Sequence, residues 1–237
     1  AAIYDESMNV LSLVTDPNTY SGPGTGYQPS IERQEEIDRI RQERSVDDMR
    51  ALQQESATPH FHVVRTAEIS HDPRDVVIAV SPATGKNIWT TLGGHHIEDV
   101  LDELLAGLEE EGCVGRIVRI NDVVDLGMIG LTGAKLAGSG IGIGIQAKGT
   151  ALIHRRDLAP LANLELYSVA PTISPEDYRL LGINAGRHAK GATPEPARNP
   201  YSDEAIEARY HTKVVALVAI ERETCTSVDP EELELRR

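Results

Sequence analysis

Few residues in this chain have both the type and the spacing to do chemistry. Gly142, Gly144 and Ala147, within LAGSGIGIGIQAKGTALIH (Leu136–His154), fit the G-x-G-x-x-A spacing with which a backbone cradles the phosphates of a dinucleotide. That spacing works where a strand ends and a helix begins. Here the glycines alternate with Ile141, Ile143 and Ile145, and KGTALIH continues with strand-forming residues, so a nucleotide loop is disfavoured. Read as one strand, Gly138, Gly140, Gly142 and Gly144 share a face and the isoleucines share the other. A face without side chains admits something large and flat, or a helix packed tightly over it. Spacing alone leaves both open. Lys148 is the one cation of the stretch beyond Lys135. It is a point charge suited to a phosphate, or a strand-end lysine with its head in water.

The other reactive types lack partners at useful spacing. His60-x-His62 and His95-His96 have no Cys, Asp or Glu placed to complete a metal site, and His154 reads as a satisfied buried histidine. Cys113 and Cys225 match no metal spacing and read as free thiols. Asp102, Glu103 and Glu109 fall on a solvated helix face rather than forming a dyad. No nucleophile has a base beside it, so this chain is expected to carry no catalytic residue of its own.

Composition narrows the class further. The 237 residues carry a formal charge of −14, which disfavours a nucleic-acid surface. Aromatics make up 4% and hydrophobic residues 40%, so the core must be aliphatic. No apolar run approaches the ~20 residues that span a bilayer. The opening AAIYDESMNV has neither the basic nor the apolar region of a signal peptide.

The elements that must position these residues can be read in order. A short apolar segment and the turn-rich DPNTYSGPGTGYQP open the chain, and IERQEEIDRIRQER has the charge pattern of a solvated helix. Residues 1–40 are thus expected as an extended tail, 41–60 as a linker and 61–237 as an α/β domain. FHVVRTAEI, DVVIAVSP and GRIVRIND read as strands, and TKVVALVAIERET as a late strand. HIEDVLDELLAGLEEEG reads as a helix from Ile97, Val100, Leu101, Leu104, Leu105 and Leu108, ending at Gly112. PEDYRLLGINAGRHAKG reads as another, with Pro175 at its first position after Ser174. VVDLGMIGLTGAKLAG reads as a strand or short helix with turns. Alternation of strands and helices implies a three-layer sheet covered on both faces.

The run KLAGSGIGIGIQAKGTALIHRRDLAPLANLELYSVAP (Lys135–Pro171) resembles the signature region of the medium (beta) subunit of adenosylcobalamin-dependent diol and glycerol dehydratases. DVVIAVSPATG (Asp75–Gly85), AGLEEEG (Ala106–Gly112) and YRLLGINAGRHAKG (Tyr178–Gly191) continue the likeness from about residue 61 onward. The resemblance implies a mixed-sheet, anticodon-binding-like α/β domain that holds adenosylcobalamin between itself and a large TIM-barrel subunit. A small helical subunit would complete a heterotrimer that dimerises. The large subunit would hold the substrate and the potassium or calcium ions. The complex would turn 1,2-diols or glycerol into aldehydes by a radical route, as a hydro-lyase. Matched position by position, the resemblance assigns Lys148 to the cobalamin phosphate. It assigns Asp125, Leu161, Asn163 and Ser168 to the cofactor's edges, and the bare glycine strand to the corrin's lower side.

LVTDPNTYSGPGTGYQPSIERQEEI (Leu13–Ile37) resembles instead the C-terminal tail of the large subunit, with Gln34 where that pattern has Trp. Together with the missing initiator Met, this implies the C-terminal part of a large–medium fusion, or a cleavage product of one. No amphipathic leader of the kind seen on some medium subunits is present, so the expected location is the cytoplasm, with microcompartment association left open. Two alternatives stand beside this reading. One is the small subunit of the dehydratase-reactivating factor, itself also an expected partner, which the Q-A-K-G and N-L-E-L segments disfavour. The other is a nucleotide-binding regulatory protein using the glycine run. Which diol is preferred lies in the other subunit.

Overall fold

Asp75–Val80 (β2), with sequence DVVIAV, is buried at all of its positions. Continuous burial of a β-branched run is what a parallel strand with helices on both faces requires. The fold is a computed structural model that describes residues 46–57, 61–168, 170–196 and 216–235. The other strands are β1 (Phe61–Thr66), β3 (Val114–Arg119), β4 (Ile141–Ile145), β5 (Ala151–Arg155), β6 (Glu165–Tyr167) and β7 (Glu231–Leu235). They form one seven-stranded sheet in the order β1-β7-β3-β2-β4-β5-β6. The central β3, β2 and β4 are mutually parallel, and the flanking strands are antiparallel to their neighbours.

Alternation along the central strands separates two cores. Val76, Ile78, Val80, Ile141, Ile143 and Ile145 face one side. There they meet Leu101 and Leu104 of α2 (Ile97–Glu110), Tyr178 and Leu181 of α4 (Pro175–Lys190), and Leu217 and Ile220 of the helical residues 216–224, labelled α5. Val77, Ala79, Val118 and Ile120 face the other side, against Ile129 of α3 (Leu126–Leu136). The expected three-layer, mixed-sheet α/β architecture is the one observed.

Local signals worked where side chain and backbone agreed. In α4, Ser174 and Asp177 form a reciprocal capping box, Pro175 opens the helix, and Gly191 closes it at φ 68°. In α2 the residues expected to be buried are buried, apart from Leu105, which is partly exposed, and Gly112 follows at φ 69°.

Two expectations are corrected, the single glycine strand and the late strand. The glycine run is not one long strand. Residues 137–140 are a loop, so Gly138 and Gly140 lie outside the strand face. β4 then turns tightly into β5 through residues 146–150, where Gly149 adopts φ 106° and its N–H bonds the Gln146 carbonyl at 2.8 Å. The late strand read in TKVVALVAIERET is helical over 216–224. Ala216, Leu217, Ile220 and Glu221 fall on one buried helical face, and packing there overrides the strand preference of valine. VVDLGMIGLTGAKLAG resolves into the helix α3. Within the expected linker 41–60, Val46–Glu55 forms a helix, α1. Its Gln53 accepts from the N–H groups of Trp89 (2.7 Å) and Thr90 (2.9 Å) and donates to the Thr90 carbonyl, so it is fastened to the domain. The expected tail, with its turn-rich run and solvated helix, lies outside the described residues.

Candidate functional site

The crossovers after β2 and after β3 leave on opposite faces, through α2 and α3. In an open α/β sheet, such a reversal places a crevice beyond the carboxyl ends of the strands. Three segments gather there: the residues after Val80, those after Arg119, and the β4–β5 turn that bears Lys148.

The turn is fixed from several directions. Gln146 donates from its side-chain amide to the Val124 carbonyl at 2.6 Å. The Ala147 N–H donates to both Ser81 Oγ (2.9 Å) and Glu221 Oε1 (3.0 Å). The Lys148 carbonyl accepts from the Leu92 N–H at 3.0 Å. The buried Tyr178 hydroxyl donates to the Gly149 carbonyl at 2.8 Å. Lys148 itself is half-buried.

The remaining sequence-derived residues are exposed. Asp125 caps α3, its Oδ1 accepting from the Met128 N–H at 2.9 Å. Leu161 is 87% exposed. Asn163 and Ser168 are exposed as well. Short links join most of this set. Gln146 ties the Lys148 turn to the segment entering Asp125. A side chain on Gly127 would abut both Asp125 Oδ1 and the Pro160 carbonyl, so the cap of α3 and the Pro160–Leu161 turn meet there. Ser168 follows Tyr167, which pairs with Ala151 at the end of the Lys148 turn. Asn163 shares the loop of Leu161, and no described contact ties it to the turn.

The glycine face is not open. A Cβ on Gly142 would fall on the Ala134 backbone nitrogen and lie 2.7 Å from the Gly130 carbonyl oxygen. One on Gly144 would lie 2.8 Å from Gly130 Cα. The helix α3 covers both positions, so the expectation that a corrin rests on bare strand is corrected in favour of tight helix packing.

Sequence reasoning missed Glu221. It is 1% exposed on α5, and its Oε1 also accepts from the Ser81 hydroxyl, which lies 3.1 Å from Thr84 Oγ1. Its Oε2 is buried without a hydrogen-bond partner, as is the nearby Thr150 Oγ1. Burial pushes the carboxyl above its usual range, opposed by the Ser81 hydroxyl, the Ala147 N–H and the charge of Lys148. The available signal was one glutamate on the apolar face of a helix-spaced run. His154, fully buried, has ring nitrogens 2.9 Å from the Arg155 carbonyl and 3.3 Å from that of Pro160, as a satisfied histidine should. His95 Nε2 lies 3.1 Å from the Ile173 carbonyl. Cys113 and Cys225 are free thiols. Among the described residues, no helix is long and apolar enough to cross a membrane.

The structural role of Asp125 can be separated from any ligand contact. Asp125→Ala is expected to lower stability to urea by about 1 kcal/mol through loss of the cap. Asp125→Asn keeps an accepting oxygen and is expected to stay close to the original, and equal losses for the two would contradict the cap.

Residues 81–195 match the family described as dehydratase medium subunit, and residues 1–48 match the family described as dehydratase large subunit. The order of the two segments is that of a large–medium fusion. All five exposed or half-buried candidates fall inside the first match. Among solved structures, a glycerol dehydratase reactivase is similar at 23% identity, covering 52% of this chain and 96% of its own, with a TM-score of 0.43. A diol dehydratase-reactivating factor complexed with ADP and Mg2+ is similar at 20%, covering 53% and 95%, with a TM-score of 0.37. These scores are too low to argue from.

Proposed function

We propose, for a chain whose residues 81–195 match the dehydratase medium subunit and whose residues 1–48 match the large subunit, that it is the cofactor-binding medium part of an adenosylcobalamin-dependent propanediol or glycerol dehydratase. The observation that carries this reading is the Lys148 turn, a cation on clamped backbone inside the medium-subunit match.

The donor set fits the group. Lys148 would meet the phosphodiester of the cofactor's tail. Asp125, Asn163 and Ser168 supply a carboxylate, an amide and a hydroxyl for the corrin's amide side chains and the tail's hydroxyls. Leu161 offers an exposed apolar contact. Once bound, the cofactor supplies the radical chemistry by which a 1,2-diol loses water to become an aldehyde. This chain binds and orients. The substrate, its activating potassium or calcium and the catalytic groups belong to the large TIM-barrel subunit, with a small helical subunit completing the heterotrimer.

The test is an optical titration of the assembled complex with cobalamin. Lys148→Ala is expected to weaken binding about tenfold to a hundredfold, the range for a lost hydrogen bond to a charged group. Unchanged affinity in a fully assembled variant would remove the reading. Recovery of this chain with an ATPase-like partner, and without a TIM barrel, would favour a reactivating-factor subunit instead.

A further inference from the structure

We infer that Glu221, acting with Ser81, is a positioning residue for Lys148. The inference rests on the reading that Lys148 meets the phosphodiester.

A lysine side chain is long and mobile, so its value to an anion depends on how firmly its backbone is set. Here three consecutive residues are held. Ala147 is pinned through its N–H by Ser81 at the end of β2 and by Glu221 of α5. Lys148 is pinned through its carbonyl by Leu92. Gly149 is pinned through its carbonyl by Tyr178 of α4. The anchors come from separate elements and converge on one turn.

Glu221 is the costly member of this set. A carboxyl 1% exposed, with one oxygen left unpartnered, is unfavourable for the fold alone. An apolar side chain would serve helix packing better. What the carboxyl does there is accept from the Ser81 hydroxyl and the Ala147 N–H together, which locks the end of β2 to the residue preceding Lys148. It also faces the charge of Lys148 itself. Glu221 therefore sets where the Lys148 backbone sits without touching the cofactor.

The test uses the assembled complex and two probes, aquocobalamin and cobinamide. The second lacks the phosphate-bearing tail. Glu221→Ala is expected to weaken aquocobalamin about threefold to tenfold, the range for one lost hydrogen bond, and to leave cobinamide unchanged. Glu221→Gln keeps an acceptor for the Ala147 N–H and is expected to bind aquocobalamin nearly as the original does. In a Lys148→Ala background, Glu221→Ala is expected to add nothing further. Ser81→Ala, a smaller change, should reproduce the selective loss if Glu221→Ala does not assemble. A loss shared equally by both probes, or no loss, would overturn the positioning role while a Lys148→Ala effect left the broader reading intact. No effect of Lys148→Ala would overturn both.

Discussion

Gly142→Val is expected to destabilise the domain severely. Val77 and His154 are the register partners of Gly142 on either side, so β4 cannot shift without breaking pairing to β2 and β5. On its α3 face, an added carbon meets backbone at Ala134, Gly130 and Gly133 rather than the end of a flexible side chain. Overpacking a core costs about 1–3 kcal/mol when side chains can move aside. Here a whole helix must lift from the sheet, taking Ile129 and its neighbours with it, so the loss should lie at or beyond the top of that range. A domain stable by about 5–15 kcal/mol would then lose a large share of its margin. Circular dichroism and urea denaturation measure this directly, with Ile143→Val on the opposite face as a control expected to cost about 1 kcal/mol. A Gly142→Val variant with native stability would show that α3 is not seated on β4.

Arg116→Met is expected to be the other severe change. The guanidinium donates to both oxygens of Asp75 at 3.2 Å, to Glu232 at 3.1 Å, and to the carbonyls of Glu68 and Leu136 at 3.0 Å. The side chains of Arg116, Asp75 and Glu232 are only 14%, 6% and 13% exposed. One cation thus joins the start of β2, strand β7 and the end of α3. Removing it leaves the buried Asp75 without its cation and Glu232 with Arg65 alone, and breaking a buried pair costs about 3–5 kcal/mol. Burial raises the Glu232 carboxyl, but hydrogen bonds from Arg65 and Arg116 and their charges outweigh it and hold the group below its usual range. A lowered folded-state value stabilises the fold above the unfolded carboxylate range, and that gain is lost as pH falls through the folded value. The variant lacks part of that gain, so its deficit relative to the original should shrink on acidification. Urea denaturation at neutral pH and near pH 4 compares the two. A deficit that grows toward acid would contradict the role given to this arginine.

The architecture was legible where each residue's preference agreed with its surroundings. The 3.6-residue repeat from Ile97 to Leu108 and the Ser174–Pro175 start each specified a helix that local physics alone would favour. The failures came from long-range packing. Valines in 213–220 favour a strand, but the face containing Leu217 and Ile220 is buried as a helix. β7, EELEL, carries three glutamates and escaped notice. Its pairing with β1 and β3 and the arginines Arg65, Arg116 and Arg119 beside it account for it as a strand. The glycines of β4 leave a flat ligand and a close-packed helix equally open, because nothing local reveals that α3, with Gly130 and Gly133, fills the gap. Of the site, Lys148 was visible as an isolated cation. Its clamp was not, since Ser81, Tyr178 and Glu221 come from distant parts of the chain.

Cobalamin contains a single phosphorus atom, so its 31P resonance in the assembled complex reports on the tail and little else. If the medium part grips that tail through a lysine, the bound resonance should be displaced from that of free cobalamin and should move back toward it in Lys148→Ala at saturating ligand. An identical bound resonance in the original and the variant would mean that the phosphodiester lies elsewhere.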